Sequence, residues 1–245
     1  MKDLQLSFFK SGVSHIDTPQ DHAFFATMYK FASKHNIKHI LTGGNYSTEC
    51  VRNPLEWMYY QSDSIQLKDI HKKFGKKPLK TFPLIDILKN KVYYQYFLGM
   101  KVFKPLNFVP FIKKDVEFFL KEKFGWESFP HKHHESRFTR FFEDYWLPKK
   151  FGFDRRKAHF SSLILTGQMT REEALIRISK PELSEDFLKQ EFKYIAEKLD
   201  ITVNQLKEIF DGENKTFYDY KTKIKLVKLG TKILSKLGLE KRLIR

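Results

Sequence analysis

Residues 131 to 142, HKHHESRFTRFF, crowd three histidines, a glutamate, two arginines and a lysine among three phenylalanines. Histidine at this density suggests a metal, and arginine at this density suggests a phosphate. The metal reading is weakened by spacing: His131, His133, His134 and Glu135 are nearly consecutive, so their side chains diverge and at most two reach one ion. No metal site is expected. Arg137 and Arg140 lie three apart on one face of a helix starting near Ser136, while Phe138, Phe141 and Phe142 can face a core. A helix start beside histidines and guanidinium groups suits phosphate or pyrophosphate. A solvated basic helix start fits the same residues.

The stretch LPKKFGFDRRKAHFSS (147 to 162) repeats this chemistry, with Lys149, Lys150, Arg155, Arg156, Lys157 and His159 around Gly152. A charge run is usually a solvated face. Two basic helix starts so close together favour a small polyanionic ligand. A third candidate is ILTGGNYSTE (40 to 49), a buried strand that ends in glycines. Its backbone N–H groups would lie at the carboxyl edge of a parallel sheet, where open α/β folds bind ligands. Thr42, Gly43, Gly44 and Asn45 would form that edge, Ser47 and Thr48 would add donors, and Glu49 could hold a metal ion or a ribose. A tight turn with a helix cap reads equally well. In VSHIDTPQDH (13 to 22), Asp17 closes a short strand and Asp21 enters the first helical turn, where capping is the simpler role.

The elements that must position these residues follow from periodicity. Residues 2 to 11 read as an amphipathic helix, 13 to 17 as a strand, and 20 to 37 as a helix with Phe24, Met28, Phe31 and Ala32 at helical spacing. Residues 38 to 44 read as a second strand. Strand, helix and strand make a βαβ unit and hence a parallel sheet, but two strands cannot make a stable doubly wound sheet, so the chain reads as opening in mid-domain. From about residue 61 the pattern is mostly helical, with capping boxes at Thr170–Glu173 and Thr202–Gln205. The tail sets Leu226, Leu229, Ile233 and Leu237 on one stripe beside Lys225, Lys228, Lys232 and Lys236.

The net charge of +16 calls for an anionic partner. Nine of the basic residues fall between Lys221 and Arg245 against one acid, Glu240, so the rest of the chain is only mildly basic and a whole-surface nucleic-acid site is not expected. A single cysteine, Cys50, excludes an internal disulfide framework. No signal peptide and no apolar run of transmembrane length is visible, so a cytoplasmic location is expected, with the basic tail a candidate for peripheral contact with the inner membrane.

The segments KDLQLSFFKSGVSHIDTPQDHAFFATMYKFASKHNIKHILTGGNYSTE and KHHESRFTRFFEDYWLPKKFGFDRRKAHFSSLILTGQMTREEAL resemble N-acetyl sugar amidotransferases of the WbpG type, in the PP-loop ATP pyrophosphatase superfamily. The likeness runs to about residue 221. It implies an α/β fold: part of a Rossmann-like PP-loop sheet domain (1–60), a helical substrate and pyrophosphate domain (61–215) and a basic amphipathic tail helix (216–245). It implies conversion of a sugar acetamido group to acetamidino in O-antigen or other surface-glycan synthesis, with ATP and Mg²⁺ as cofactors. Ammonia would come from a HisH-like glutaminase with a HisF-like partner, and the substrate would be an acetamido sugar nucleotide.

By the same resemblance, Thr42, Gly43, Gly44, Asn45 and Asp17 would contact nucleotide, and Glu49 would handle metal or proton transfer. His133, His134, Glu135, Arg137, Arg140, Lys149, Arg155, Arg156, Lys157 and His159 would close over pyrophosphate or sugar-nucleotide phosphates. The family's SGGxDS phosphate loop is missing from this sequence. The chain therefore resembles the C-terminal part of such an enzyme, with a separate PP-loop polypeptide as an expected partner and little activity of its own. Two other readings stay open: a PP-loop tRNA-modifying enzyme, and a non-catalytic remnant that docks on a membrane or a partner.

Overall fold

A computed structural model describes residues 1–129, 135–181 and 183–236. Helix α1 (Lys2–Lys10) buries Leu4 and Phe8, four apart on one face, together with Phe9. Gly12 then turns the chain at φ +72°, a left-handed conformation that favours glycine. Residues 13–17, expected as a strand, form a buried turn instead. Val13 and Ile16 are apolar and fully buried, but no neighbouring strand offers a ladder. Side chains satisfy this backbone locally: Gln5 Nε2 donates to the Ile16 carbonyl at 2.6 Å, and Ser14 Oγ donates to the Glu56 carbonyl at 2.7 Å.

Helix α2 (Thr18–Lys34) starts with Pro19 in its first turn, where no intrahelical N–H is needed. Its buried stripe is His22, Ala26, Tyr29 and Ala32, packed with Ile40, Ile85, Tyr94 and Met100. The stripe expected from spacing is therefore rotated, and Phe24 and Phe31 remain 64% and 58% exposed.

The sheet has two strands among the described residues. Strand β1 (His39–Leu41) pairs in parallel with β2 (Lys101–Phe103), in the register Ile40 opposite Val102. A parallel pair is thus present, but β1 joins residues 101–103 and not 13–17. The crossover between the strands holds α3 (Tyr46–Glu49), α4 (Ser64–Phe74) and a π-helical segment, Lys89–Phe97.

The remainder is helical: α5 (Lys113–Phe124), α6 (Arg137–Phe141), a second π-helical segment (Phe142–Phe151), α7 (Arg156–Leu165), α8 (Arg171–Ile178), α9 (Glu185–Leu199), α10 (Val203–Asp211) and α11 (Ile224–Lys236). Both capping boxes form as expected. Thr170 Oγ1 accepts from the Glu173 N–H at 3.1 Å and Glu173 accepts from the Thr170 N–H at 2.8 Å, and Thr202 and Gln205 repeat the exchange. The largest core gathers Leu4, Phe8, Phe9, Leu67, Ile70, Phe141, Phe142, Trp146, Phe192 and Leu199, so α1 packs in one apolar body with α4, α6 and α9.

Residues 213–220 close over Gly12. The Lys215 N–H donates to the Gly12 carbonyl at 2.8 Å, and Tyr220 OH donates to the Ser11 carbonyl at 2.5 Å. A Cβ on residue 12 would collide with the Glu213 carbonyl oxygen, and φ is positive there as well. Gly12→Ala should cost about 2 kcal/mol or more, read as a fall of several degrees in Tm. An unchanged melting curve would show that this closure is not under strain.

Candidate active site

A cleft of about 1100 Å³ opens between the start of α2, the segment 48–60, α5, and the face made by α6, the second π-helical segment and α7. That volume suits a ligand of nucleotide-sugar size. Six of the residues expected from sequence line it: Asp17, Glu49, Glu135, Arg155, Arg156 and His159. Thr42, Gly43, Gly44, Asn45, Arg137, Arg140, Lys149 and Lys157 are not in its lining. His133 and His134 lie outside the described residues.

The floor is built from charges that neutralise each other. Arg155 reaches Asp17 Oδ2 at 3.2 Å and Glu143 Oε1 at 2.6 Å, and all three side chains are largely buried. Burial alone would push the guanidinium toward neutrality, but the two carboxylates more than offset this and hold its pKa above the usual value. Arg155 Nε and Asp17 Oδ1 keep an unmatched donor and an unmatched acceptor among the described residues. Next to this triad lies Asp21, which accepts from Gln61 Nε2. His22 sets the position of Gln61: its Nδ1 donates to the Gln61 carbonyl at 2.7 Å while its Nε2 accepts from the Ile85 N–H at 3.1 Å. Burial, helped by the neighbouring Asp17, pushes the Asp21 carboxyl up to about 7, against the opposing pull of Arg155. This carboxyl can exchange a proton near neutral pH.

The arginines expected to clamp an anion are held by carboxylates of the chain itself. Arg137 Nη2 meets Glu191 Oε1 at 2.8 Å and Arg140 Nη2 meets the same oxygen at 3.2 Å, and Glu191 is fully buried on α9. Their guanidinium groups also stack over Tyr194 and Phe187, at 3.7 and 4.3 Å from the ring centres. Arg156 binds Asp154 through two nitrogens and donates to the carbonyls of Arg177, Ile178 and Lys180, which closes the carboxyl end of α8. Lys149 and Lys157 are exposed. Among the described residues that line the cleft, seven carboxylates face six lysine and arginine side chains. The positive surplus of the chain lies elsewhere.

The glycine stretch behaves as a strand end followed by a cap. The Thr42 N–H donates to the Phe103 carbonyl at 2.9 Å, extending the ladder. Asn45 Oδ1 accepts from the Thr48 N–H at 2.8 Å and caps α3. Neither Gly43 nor Gly44 takes a left-handed φ. Helix α7 fixes the far side of this loop: Thr166 Oγ1 donates to the Ser47 carbonyl at 2.7 Å, Ser162 Oγ accepts from the Val51 N–H at 3.0 Å, and His159 Nδ1 lies 3.2 Å from the Thr48 carbonyl. Glu49 is thereby held at the cleft rim.

Among the described residues, no group of three or more His, Cys, Asp or Glu side chains could hold a metal ion. With Arg155 and Arg156 also committed to carboxylates, the described residues do not by themselves form a cradle for ATP and Mg²⁺. Sequence reasoning passed over Glu143, Gln61 and Glu191. Each meets a partner between forty and fifty-four residues away, or in the case of Glu143 joins a bridge to Asp17 across the chain, which leaves no local signal. Asp21 did leave one, because it follows Asp17 by one helical turn.

Residues 135–234 match the family model described as LPS biosynthesis protein WbpG-like, C-terminal domain. This supports a place among WbpG-type lipopolysaccharide-biosynthesis proteins. No curated protein and no solved structure matches the chain. The matched residues begin at Glu135 on the cleft, include Glu143, Arg155 and His159, and run into α11.

The pH dependence of stability tests the Asp21 site. Its folded pKa lies above the unfolded value, so stability present at low pH is lost as pH rises from about 4 to about 7. His15, buried and lowered to about 4, has the opposite slope, gaining stability over much of the same range. The whole-protein curve should therefore be shallow, and the difference between wild type and Asp21→Asn isolates one group. Asp21→Asn should gain relative Tm above pH 7 and lose that advantage near pH 4; a difference independent of pH refutes the shifted carboxyl. Separately, Glu191→Ala strands Arg140 against the core and should cost about 3 kcal/mol in denaturant unfolding.

Proposed function

We infer that the chain is the substrate-holding part of an ATP-dependent amidotransferase that converts a sugar acetamido group to acetamidino in lipopolysaccharide or related surface-glycan synthesis. The observation that carries this reading is the WbpG-like match, because the matched residues build one wall of the cleft. In this reading ATP would adenylate the amide oxygen with loss of pyrophosphate, and ammonia would then displace AMP from the activated carbon.

The attacking nitrogen must lose a proton. Asp21, whose carboxyl titrates near neutrality on the cleft floor, is suited to accept it, and Glu49 at the rim is the second candidate. Lys149, Lys157 and the glycine edge at Thr42–Asn45 remain candidates for phosphate and nucleotide contact, once a further segment carrying the phosphate loop supplies the rest of the ATP and Mg²⁺ site. Support for such a segment comes from the sheet. Parallel strands are normally covered on both faces, yet Leu41 is 69% exposed and Phe24 lies bare beside the cleft. A HisH-like glutaminase and a HisF-like partner would deliver the ammonia. The tRNA-modifying reading draws on the net charge, much of which lies in the tail, and on the resemblance to the PP-loop superfamily, and it is not favoured.

Reconstitution tests this. The chain and a PP-loop polypeptide, given ATP, Mg²⁺, ammonia and acetamido sugar nucleotides, should release AMP and pyrophosphate and form an amidino sugar detectable by mass. Asp21→Asn should slow turnover by about a hundredfold without abolishing sugar-nucleotide binding. Failure to form AMP with any acetamido sugar nucleotide overturns the proposal.

A further inference from the structure

Helix α11 has two apolar sides, and only one of them is used. Ile224 is buried with Tyr59 and Phe217, and Val227 and Thr231 turn toward Tyr60. Upstream, Lys223 fastens the start of the helix: its N–H donates to Asp63 Oδ2 at 2.7 Å, and its ammonium meets Asp86 at 2.5 Å. On the opposite side, Leu226, Leu229 and Ile233 stand 47%, 56% and 49% exposed at successive turns. Lys225, Lys232 and Lys236 are exposed along one flank of that stripe, and Lys228 leans back to donate to Tyr218 OH at 3.1 Å. No acid occurs between Ile224 and Lys236.

We propose that α11 docks the protein on an anionic lipid surface, with Leu226, Leu229 and Ile233 entering the interface and Lys225, Lys232 and Lys236 meeting lipid phosphates. Packing on its own domain does not compete with this, because that packing uses the other face of the helix. The stripe is a single row of exposed side chains at successive turns, which suits a planar apolar boundary. Lysines along the row would repel the same row on a second copy, whereas they match a negatively charged bilayer in sign. No helix among the described residues is long and apolar enough to cross a membrane, so the contact is peripheral. The sequence continues past the described helix with Lys241, Arg242 and Arg245, which adds to the same charge. This proposal does not depend on the amidotransferase reading.

The full chain should float with mixed phosphatidylglycerol–phosphatidylcholine vesicles and not with phosphatidylcholine alone, and binding should weaken in high salt. The triple variant Leu226→Ser, Leu229→Ser and Ile233→Ser keeps every charge and the buried face, and should weaken vesicle binding by about a hundredfold. Lys225→Gln with Lys232→Gln and Lys236→Gln should weaken it by a similar factor at low salt. All six positions are exposed, so the melting temperature of the body should hold; Leu229→Glu alone serves if the triple variant melts early. If the wild type binds neither vesicle, or the serine variant binds as tightly as the wild type, the proposal fails. It also fails if the chain instead forms a concentration-dependent dimer that the serine variant abolishes.

Discussion

The bridge from Asp17 through Arg155 to Glu143 is the constraint on which the site depends. Asp17 stands at the start of α2, Glu143 lies in the π-helical segment after α6, and Arg155 immediately precedes α7. A guanidinium this deep is tolerable only with carboxylates on both sides, since breaking a buried pair strands a charge. The three elements therefore cannot separate without stranding one, and the cleft between them keeps its shape. The same logic recurs at Glu191, which holds Arg137 and Arg140, and at Asp154, which holds Arg156. Basic residues that look available in a one-dimensional reading are cross-links between helices in three dimensions. The fold spends its most rigid cations on itself.

This explains which parts of the structure were legible in the sequence. Features set by neighbours along the chain came through: the capping boxes at Thr170 and Thr202, the start of α6 at Ser136, and the buried faces of Phe141 and Phe142. Features set by remote partners did not. Residues 13–17 have the apolar character of a strand, but a strand exists only where another offers its N–H and C=O groups, and Val13 and Ile16 met a helical core. The α2 stripe was misplaced for a related reason, because helical spacing alone cannot say which of two apolar faces will be covered. Asp17, Arg155 and His159, singled out by type, line the cleft, yet that Arg155 faces carboxylates depends on Glu143 and Asp17 together.

The sheet shows the reverse case, where the local reading held and its context did not. A parallel strand was expected at 38–44 and is present at 39–41, but its neighbour comes from residues 101–103. Its surroundings are thin: among the described residues, seven buried ones form the core around it, against seventeen in the helical body. Aromatic side chains near this small core, among them Phe24, Phe31 and Phe103, remain open to solvent. Hydrophobic burial scales with area, so this region contributes less to stability than the helices do. The cleft borrows one wall from each region, and its geometry is firmest on the helical side.

The closure of residues 213–220 over Gly12 has a consequence for the order in which the protein assembles. Helix α1 is made before α9 and residues 213–220, but Phe8 and Phe9 pack with α9 and Tyr220, and the Gly12 carbonyl waits for the N–H of Lys215. Until those late segments emerge, α1 has only part of its packing, against α2 and α4. Contacts this remote in sequence form slowly and leave sticky surface exposed meanwhile. The helices with their own capping boxes can form as they appear, whereas the seating of α1 is completed only when residues 213–220 close over it.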